Sequence, residues 1–375
     1  MIPVFKPSFG NEELEALKEP FKTGWIGLGP KTKEFEEKFA QYIGTNYAAG
    51  MNSGTAALHL ALKVMNIQGK EVITTPMTFV STNHAILYNG GIPVFCDIEE
   101  DTLNIDASKI EGLITDKTAA IIVVHYGGHA CDMDRVLEIA KKHDLRVIED
   151  CAHACGGEYK GKKLGSIGDI SCFSFHAVKN LATGEGGMVN TDDSEILAQL
   201  KKMRWVGISA DTFSREEKDT KKYSWHYEVE DLGFKYHMHD ITAAIGLVQL
   251  GKLERMNKRR EEITKRYNAG LKDLAWLKTP VVKSYARPSH HNYVIKTEYR
   301  DQLNEYLKSK GISTGVHYVP NHHYKMYKKF RADVPVCERI WKTILTLPLY
   351  PDLFDKEADM IIEEIRIFGK EELKI

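Results

Sequence analysis

Along the first two thirds of the chain, short apolar runs alternate with amphipathic stretches. The runs "EVITTP" (71–76), "GIPVFCDI" (91–98), "AAIIVVHYG" (119–127), "RVIEDCAH" (146–153), "ISCFSF" (170–175) and "GGMVNT" (186–191) are rich in β-branched and aromatic residues. Continuous runs of this kind predict strands buried on both faces. Between them, "TAALHLALKVM" (55–65), "STNHAILYNG" (81–90), "DMDRVLEIAKKH" (132–143) and "SEILAQLKKM" (194–203) predict helices. The alternation implies right-handed βαβ crossovers and a mainly parallel central sheet with helices on both faces, an α/β fold.

Beyond residue 205 the pattern changes. A polar, aromatic-dotted stretch from Gly207 to Asp240 is too long for an idle connection in a compact domain and predicts a functional or interface loop. A long helical stretch follows at 241–274, its Ala/Leu half suited to burial and its Lys/Arg/Glu half to solvent. After it, "NYVIKT", "DQLNEYLKSKG", "STGVHY" and "DKEADMIIEEIRIFG" predict a smaller α+β domain. The expected division is a large α/β domain over 1–250 and a small C-terminal α+β domain over 251–375, in keeping with a length of 375 residues that exceeds the usual single core.

Charge and cysteine usage narrow the function classes. Lysine plus arginine total 51 against 52 for aspartate plus glutamate, so no net field attracts a polyanion and no nucleic-acid partner is expected. The first twenty residues lack a signal-peptide pattern, and no run approaches the roughly 20 apolar residues that span a bilayer, which predicts a cytoplasmic chain without membrane association. Six cysteines, among them Cys96 and Cys172 inside apolar runs, read as buried thiols. "CAHAC" (151–155) has no matched second ligand pair, and no carboxylate adjoins His317, His322 and His323, so no metal is expected. A Walker A pattern is absent, and "GLGP" (27–30) runs into Pro30 without the strand-to-helix context of a dinucleotide fingerprint.

The candidate chemistry centres on Lys179 in "SFHAVKNLATGEGG", between a strand-like run and a glycine cluster. Four features fit one ligand. "NSGTAALHLAL" sets Gly54 and Thr55 at the start of an alanine-rich helix, where free N–H groups and the dipole suit a phosphate. Asp150 closes "RVIED" at a strand's carboxyl end, where a carboxylate can keep a heteroaromatic nitrogen protonated. Phe79 and His153 can flank a flat ring, and Ser174 leaves its strand together with Lys179. Each also has a simpler structural role: Ser53 as a helix cap, Asp150 closing a loop, Phe79 and His153 as core aromatics. A phosphate cradle, an anion facing a ring nitrogen, a stacking face and an imine-forming amine together describe pyridoxal 5′-phosphate.

These segments, with "GWIGLGPKTKEFEEKFAQYIG", "TPMTFVSTNHAI", "EDCAHACGGEYKGKKLGSIGD", "GFKYHMHDITAAIGLVQL" and "ILTLPLYPDL", resemble the DegT/DnrJ/EryC1/StrS family of nucleotide-sugar aminotransferases over nearly the whole chain and in the family's order. The resemblance implies the aspartate aminotransferase-like fold type I, a homodimer with shared active sites, and transfer of an amino group, commonly from L-glutamate, to a nucleoside-diphosphate-linked keto sugar. It makes Lys179 the Schiff-base lysine and Asp150 the partner of the ring nitrogen. Ser174 and Thr55 become phosphate contacts, Phe79 falls in the ring-stacking segment, and His153 occupies a position that is often glutamine. Lys235 stands where many members have an asparagine that reaches the neighbouring subunit's phosphate. Some relatives carry histidine in place of the catalytic lysine and are dehydratases; Lys179 favours transamination, and "FHAVKN" with "EDCAHA" favours carbon 4 of the sugar over carbon 3. Trp25, Ile26, the loop 208–230, His317 and Tyr318 are the candidate substrate contacts. A dehydratase or a catalytically silent paralogue is the alternative.

Overall fold

A computed structural model describes residues 1–208 and 227–374. Helices α1 (Asn11–Thr23) and α2 (Pro30–Ile43) lead into β1 (Tyr47–Met51), α3 (Gly54–Val64), β2 (Glu71–Thr74), α4 (Val80–Tyr88), β3 (Ile92–Phe95) and the short α5 (Ala107–Ile110). Then come β4 (Thr118–Val124), α6 (Met133–Lys142), β5 (Arg146–Asp150), the short β6 (Glu158–Tyr159) and β7 (Lys162–Lys163), β8 (Ile170–Ser174), β9 (Gly187–Thr191) and α7 (Ser194–Met203). The last third holds the long α8 (Asp240–Leu271), β10 (Ala286–Arg287), β11 (Tyr293–Lys296), α9 (Arg300–Ser309), α10 (Pro335–Ile340), β12 (Ile344–Leu347) and α11 (Asp355–Glu371).

Seven strands form the main sheet in the order β1-β9-β8-β5-β4-β2-β3. Every pair from β8 to β3 is parallel, and β9 alone runs against its neighbours β1 and β8. Because side chains alternate along a strand, the sheet feeds two cores. Ile73, Ile121, Val123 and Val147 pack on one face with Phe39 of α2, Val136 of α6 and Leu253 of α8. Val72, Ala120, Ile122 and Ile148 pack on the other with Leu60 of α3, Ile86 of α4 and Leu200 of α7. The six predicted strands and all the predicted helices are present within a few residues. The sequence reading misses β1, whose "YAAGM" carries no β-branched residue, and the two helices before it.

Strands β11 and β12 pair antiparallel and pack with α8, α9 and α11 through Tyr267, Leu303, Leu307, Ile361 and Ile365. Residue 250 lies inside the unbroken helix α8, so α8 belongs to both sides of any division made there. Its first residue is fixed by chemistry: the buried Asp240 carboxylate accepts the N–H groups of Gly29 (3.0 Å), Lys31 (3.0 Å) and Thr32 (2.9 Å) and the Thr32 hydroxyl (2.8 Å). One side chain thus caps α2 and ties it to α8. All six cysteines are buried and unpaired, and among the described residues no helix is long and apolar enough to cross a membrane.

Candidate active site

The carboxyl ends of the parallel strands converge on Asp150 and Lys179, the place where open α/β sheets build their sites. Asp150, the last residue of β5, is buried, and among the described residues its carboxylate accepts only the Thr82 hydroxyl (2.7 Å) and the Ala152 N–H (3.1 Å). Burial raises its pKa above the ordinary carboxylate value, against the pull of those two donors and of the nearby Lys179 charge. Lys179 follows a tight turn in which its N–H donates to the His176 carbonyl (2.8 Å). Burial pushes its amine down to about 8, and the Asp150 charge only partly offsets that. Two groups that burial drives toward neutrality therefore face one another, a state that a bound cationic ring relieves for the carboxylate.

The phosphate end is built by α3, β8 and β9. Ser53 caps α3 by accepting the Ala56 N–H (3.0 Å), and its carbonyl takes the Ala57 N–H (3.1 Å), which leaves the Gly54 and Thr55 N–H groups without an intrahelical acceptor. The helix end lies so close to the strands that a Cβ on Gly54 would stand 2.8 Å from the Ser174 Cβ, and one on Gly187 2.4 Å from the Ser53 carbonyl oxygen. Glycine at both positions is what brings the Ser174 hydroxyl beside the helix N-terminus. Thr55 Oγ1 bonds Ser81 Oγ (2.8 Å), adding a second hydroxyl to the same rim.

Aromatic rings form the remaining wall. His153 stacks on His291 (centroids 4.4 Å, 24°) and on Tyr318 (5.9 Å, 17°), while Phe79, 55% exposed, meets Tyr318 at 6.1 Å. Burial holds the His153 imidazole well below its usual pKa, so it is neutral. The Gly127 N–H points at its Nδ1 (3.4 Å), which places the ring proton on Nε2, donated to the Tyr318 hydroxyl (3.0 Å). Burial and the Asp150 charge keep the Tyr318 hydroxyl protonated, with its own proton directed elsewhere than His153. The chemistry on hand is an amine of lowered basicity, a carboxylate suited to a cationic nitrogen, an anion cradle and a flat-ring slot.

A model of the DegT/DnrJ/EryC1/StrS aminotransferase family matches residues 7–366. The chain belongs to that family. Among its relatives is the spore coat polysaccharide biosynthesis protein SpsC of Bacillus subtilis, 43% identical over 97% of this chain and 96% of that protein. Among solved structures, the aminotransferase TlmJ from Streptoalloteichus hindustanus matches with a TM-score of 0.93 and 32% identity over 100% of both chains. The sugar aminotransferase Spr1654 from Streptococcus pneumoniae in its PLP form matches with 0.91 and 32% over 98% of both. The protein is a PLP-dependent sugar aminotransferase of fold type I, acting on a nucleotide sugar with an amino donor. The pocket fits the cofactor: the under-supplied, buried Asp150 suits a pyridinium nitrogen, and the glycine-permitted approach of α3 to Ser174 suits a phosphate.

Charge and ring contacts link Lys179, Asp150, His153, Phe79 and Tyr318 to one another, while Gly54, Thr55 and Ser174 meet at the α3 N-terminus. His317 lies behind Tyr318, with Nδ1 bonded to the Thr346 hydroxyl (2.9 Å) and burial lowering its pKa to about 4. Lys235 is only partly gathered. Its carbonyl meets the Asn52 side chain (3.3 Å) beside the cradle, but its amine sits 3.3 Å above the Trp205 ring. Trp25 and Ile26 lie elsewhere: Trp25 packs by Gly29 at the start of α2, and Ile26 is exposed. Most of the loop 208–230 lies outside the described residues.

Sequence reasoning misses several members of the wall. His291 backs His153 through its bond to Asn180 (2.9 Å), and Phe5 stacks on His291 (5.4 Å, 5°), so the N-terminal segment closes the ring ladder. No motif marks these residues; only long-range packing brings them in. Contrary to the expectation from sequence, a carboxylate does join the 317–323 histidines. Glu338 on α10 takes both His322 Nε2 (2.5 Å) and His323 Nε2 (2.8 Å). Among the described residues the buried His322 Nδ1 has no hydrogen-bond partner, and through Nε2 of both histidines the trio braces the segment after Tyr318 against α10.

Proposed function

We propose that this enzyme moves an amino group from L-glutamate to carbon 4 of a nucleoside-diphosphate-linked 4-keto 6-deoxy hexose, in amino-sugar synthesis for a cell-surface polysaccharide. What supports the reading is the mutual influence of the buried Lys179 amine and Asp150 carboxylate, together with the close approach of Ser174 to the α3 N-terminus. Pyridoxal phosphate, when bound, supplies an aldehyde that captures amines and a ring that spreads negative charge. Lys179 would anchor the cofactor, and its amine would be the base that takes the amino donor's α-proton. An amine held at about 8 suits both tasks near neutral pH. Asp150 keeps the ring nitrogen protonated, while Gly54, Thr55 and Ser174 hold the phosphate.

Phe79 and His153 flank the ring, and the Tyr318 hydroxyl, with His317 behind it, contacts the sugar. Trp25 and Ile26 contact the substrate, and Lys235 reaches the partner subunit's phosphate across a homodimer interface. Residues 1–250 and 251–375 act as a large cofactor-binding and a small domain joined by α8, and the enzyme works in the cytoplasm. A panel of UDP-, dTDP- and GDP-linked 4-keto and 3-keto sugars with glutamate, read by mass spectrometry, tests the reading. An amine-for-oxygen mass change on a 4-keto substrate supports it; amination of 3-keto sugars alone overturns the carbon-4 assignment.

A further inference from the structure

The proton-holding role given to Asp150 depends on two hydroxyls that no motif announces. Thr82 Oγ1 lies 2.7 Å from Asp150 Oδ2 and 2.8 Å from Thr78 Oγ1, and both threonines are buried at 1% and 2% exposure. A carboxylate only accepts, so the Thr82 hydroxyl spends its proton on Asp150 and receives one from Thr78. The relay Thr78 to Thr82 to Asp150 thus has one direction. Its start is clamped as well: the Thr78 carbonyl accepts from Asn321 Nδ2 (2.7 Å), Asn321 Oδ1 from Asn83 Nδ2 (2.8 Å), and Asn83 Oδ1 from the Thr74 hydroxyl (2.9 Å). The turn leading into α4 is therefore fixed from both sides of the pocket.

We propose that Thr82 is a positioning residue that weakens the proton affinity of Asp150, so that the proton shared with the cofactor's ring nitrogen stays on the nitrogen. The proposal rests on the assignment of Asp150 above. Burial alone makes this carboxyl a stronger base, and a proton moved onto it would leave the ring neutral and a poorer acceptor of negative charge. Against burial, the Thr82 hydrogen bond is the foremost opposing influence, followed by the Ala152 N–H and the charge of Lys179; the Tyr318 hydroxyl also feels the Asp150 charge. A hydrogen bond to an ionised group is worth enough to move a pKa by about one unit or more.

Thr82→Val keeps the shape and removes the hydroxyl. In the enzyme reconstituted with pyridoxal phosphate, the pH midpoint of the visible absorption band should rise by about one unit, since a neutral ring lets the link to Lys179 keep its proton longer. In parallel kcat should fall about tenfold with little change in KM for the nucleotide sugar. Thr82→Ser should restore both, and Thr78→Val should move the midpoint the same way by less. A wild-type midpoint in Thr82→Val, or no rescue by Thr82→Ser, overturns the proposal. Asp150→Asn separates the two levels: if it leaves the midpoint unmoved, the Asp150 assignment fails; if it moves the midpoint and Thr82→Val does not, Thr82 alone is refuted.

Discussion

Glu149 and Asp150 are consecutive residues of β5, both buried carboxylates, and the sheet's alternation sends them to opposite faces. Glu149 is fully supplied. It accepts His125 Nε2 (3.0 Å) and the N–H groups of Gly165 (2.9 Å), Ile167 (2.9 Å) and Gly168 (2.7 Å). Burial alone would raise its pKa, but His125 and those backbone donors outweigh it and hold Glu149 below the usual value. Because His125 Nδ1 accepts the Cys131 N–H (3.1 Å), its ring proton sits on Nε2 and is given to Glu149. Asp150 has two donors and a raised pKa. Saturation marks the carboxylate that holds a loop, and under-supply marks the one that awaits a ligand.

The reading that puts the chemistry on the Asp150 face is broken most directly by Lys179→Ala. Amino-sugar formation should fall by about 10⁴-fold while circular dichroism is unchanged; retained turnover would move the chemistry elsewhere. Glu149→Gln addresses the other face. It turns an amide N–H₂ toward backbone donors and should cost about 3 kcal/mol in urea unfolding, with the cofactor's absorption spectrum unaltered.

Asp150→Asn should do the reverse. Activity drops by about two orders of magnitude, because the ring nitrogen loses a counter-ion whose influence is about two pKa units. The unliganded chain should unfold no more easily: a carboxyl whose pKa is raised on folding binds more protons folded than unfolded, so its contribution to stability falls as pH rises above the ordinary carboxylate range, and asparagine removes that penalty. The smallest effect is kinetic. Cofactor uptake by the unliganded chain needs the neutral Lys179 amine, so its rate should climb with pH and level off above about 8, well short of the ordinary lysine value of 10.5. Stopped-flow absorbance across that range measures it, and a rise continuing to pH 10 would contradict the lowered basicity.

The same pair explains what was legible beforehand. "RVIED" announces a strand ending in two acids, yet nothing in five letters says which acid meets Gly165 to Gly168 and which meets Thr82. Lys179, Ser174 and Gly54 were readable because each lies where a strand or helix end meets glycine, a local signal. Strand β1 was not, since alanine and glycine become a strand here only by pairing with β9, as Ala49 does with Val189. Helix α2 offered Pro30 at its start, Gly44 past its end and Phe35, Phe39 and Ile43 on one stripe, signals that the strand-centred reading passed over. His291, Phe5 and Glu338 had no local mark at all.

By itself the sequence determined most of the elements, the parallel sheet and the residue types that capture an amine and a phosphate, because those follow from period, capping and side-chain chemistry within a few residues. The tertiary structure alone decided which groups are desolvated together. It set Thr82 on Asp150, turned Lys235 onto Trp205, stacked His291 behind His153 and brought Glu338 to His322. Proton affinity depends on burial and on donors from distant parts of the chain, and those distances exist only once the chain is packed.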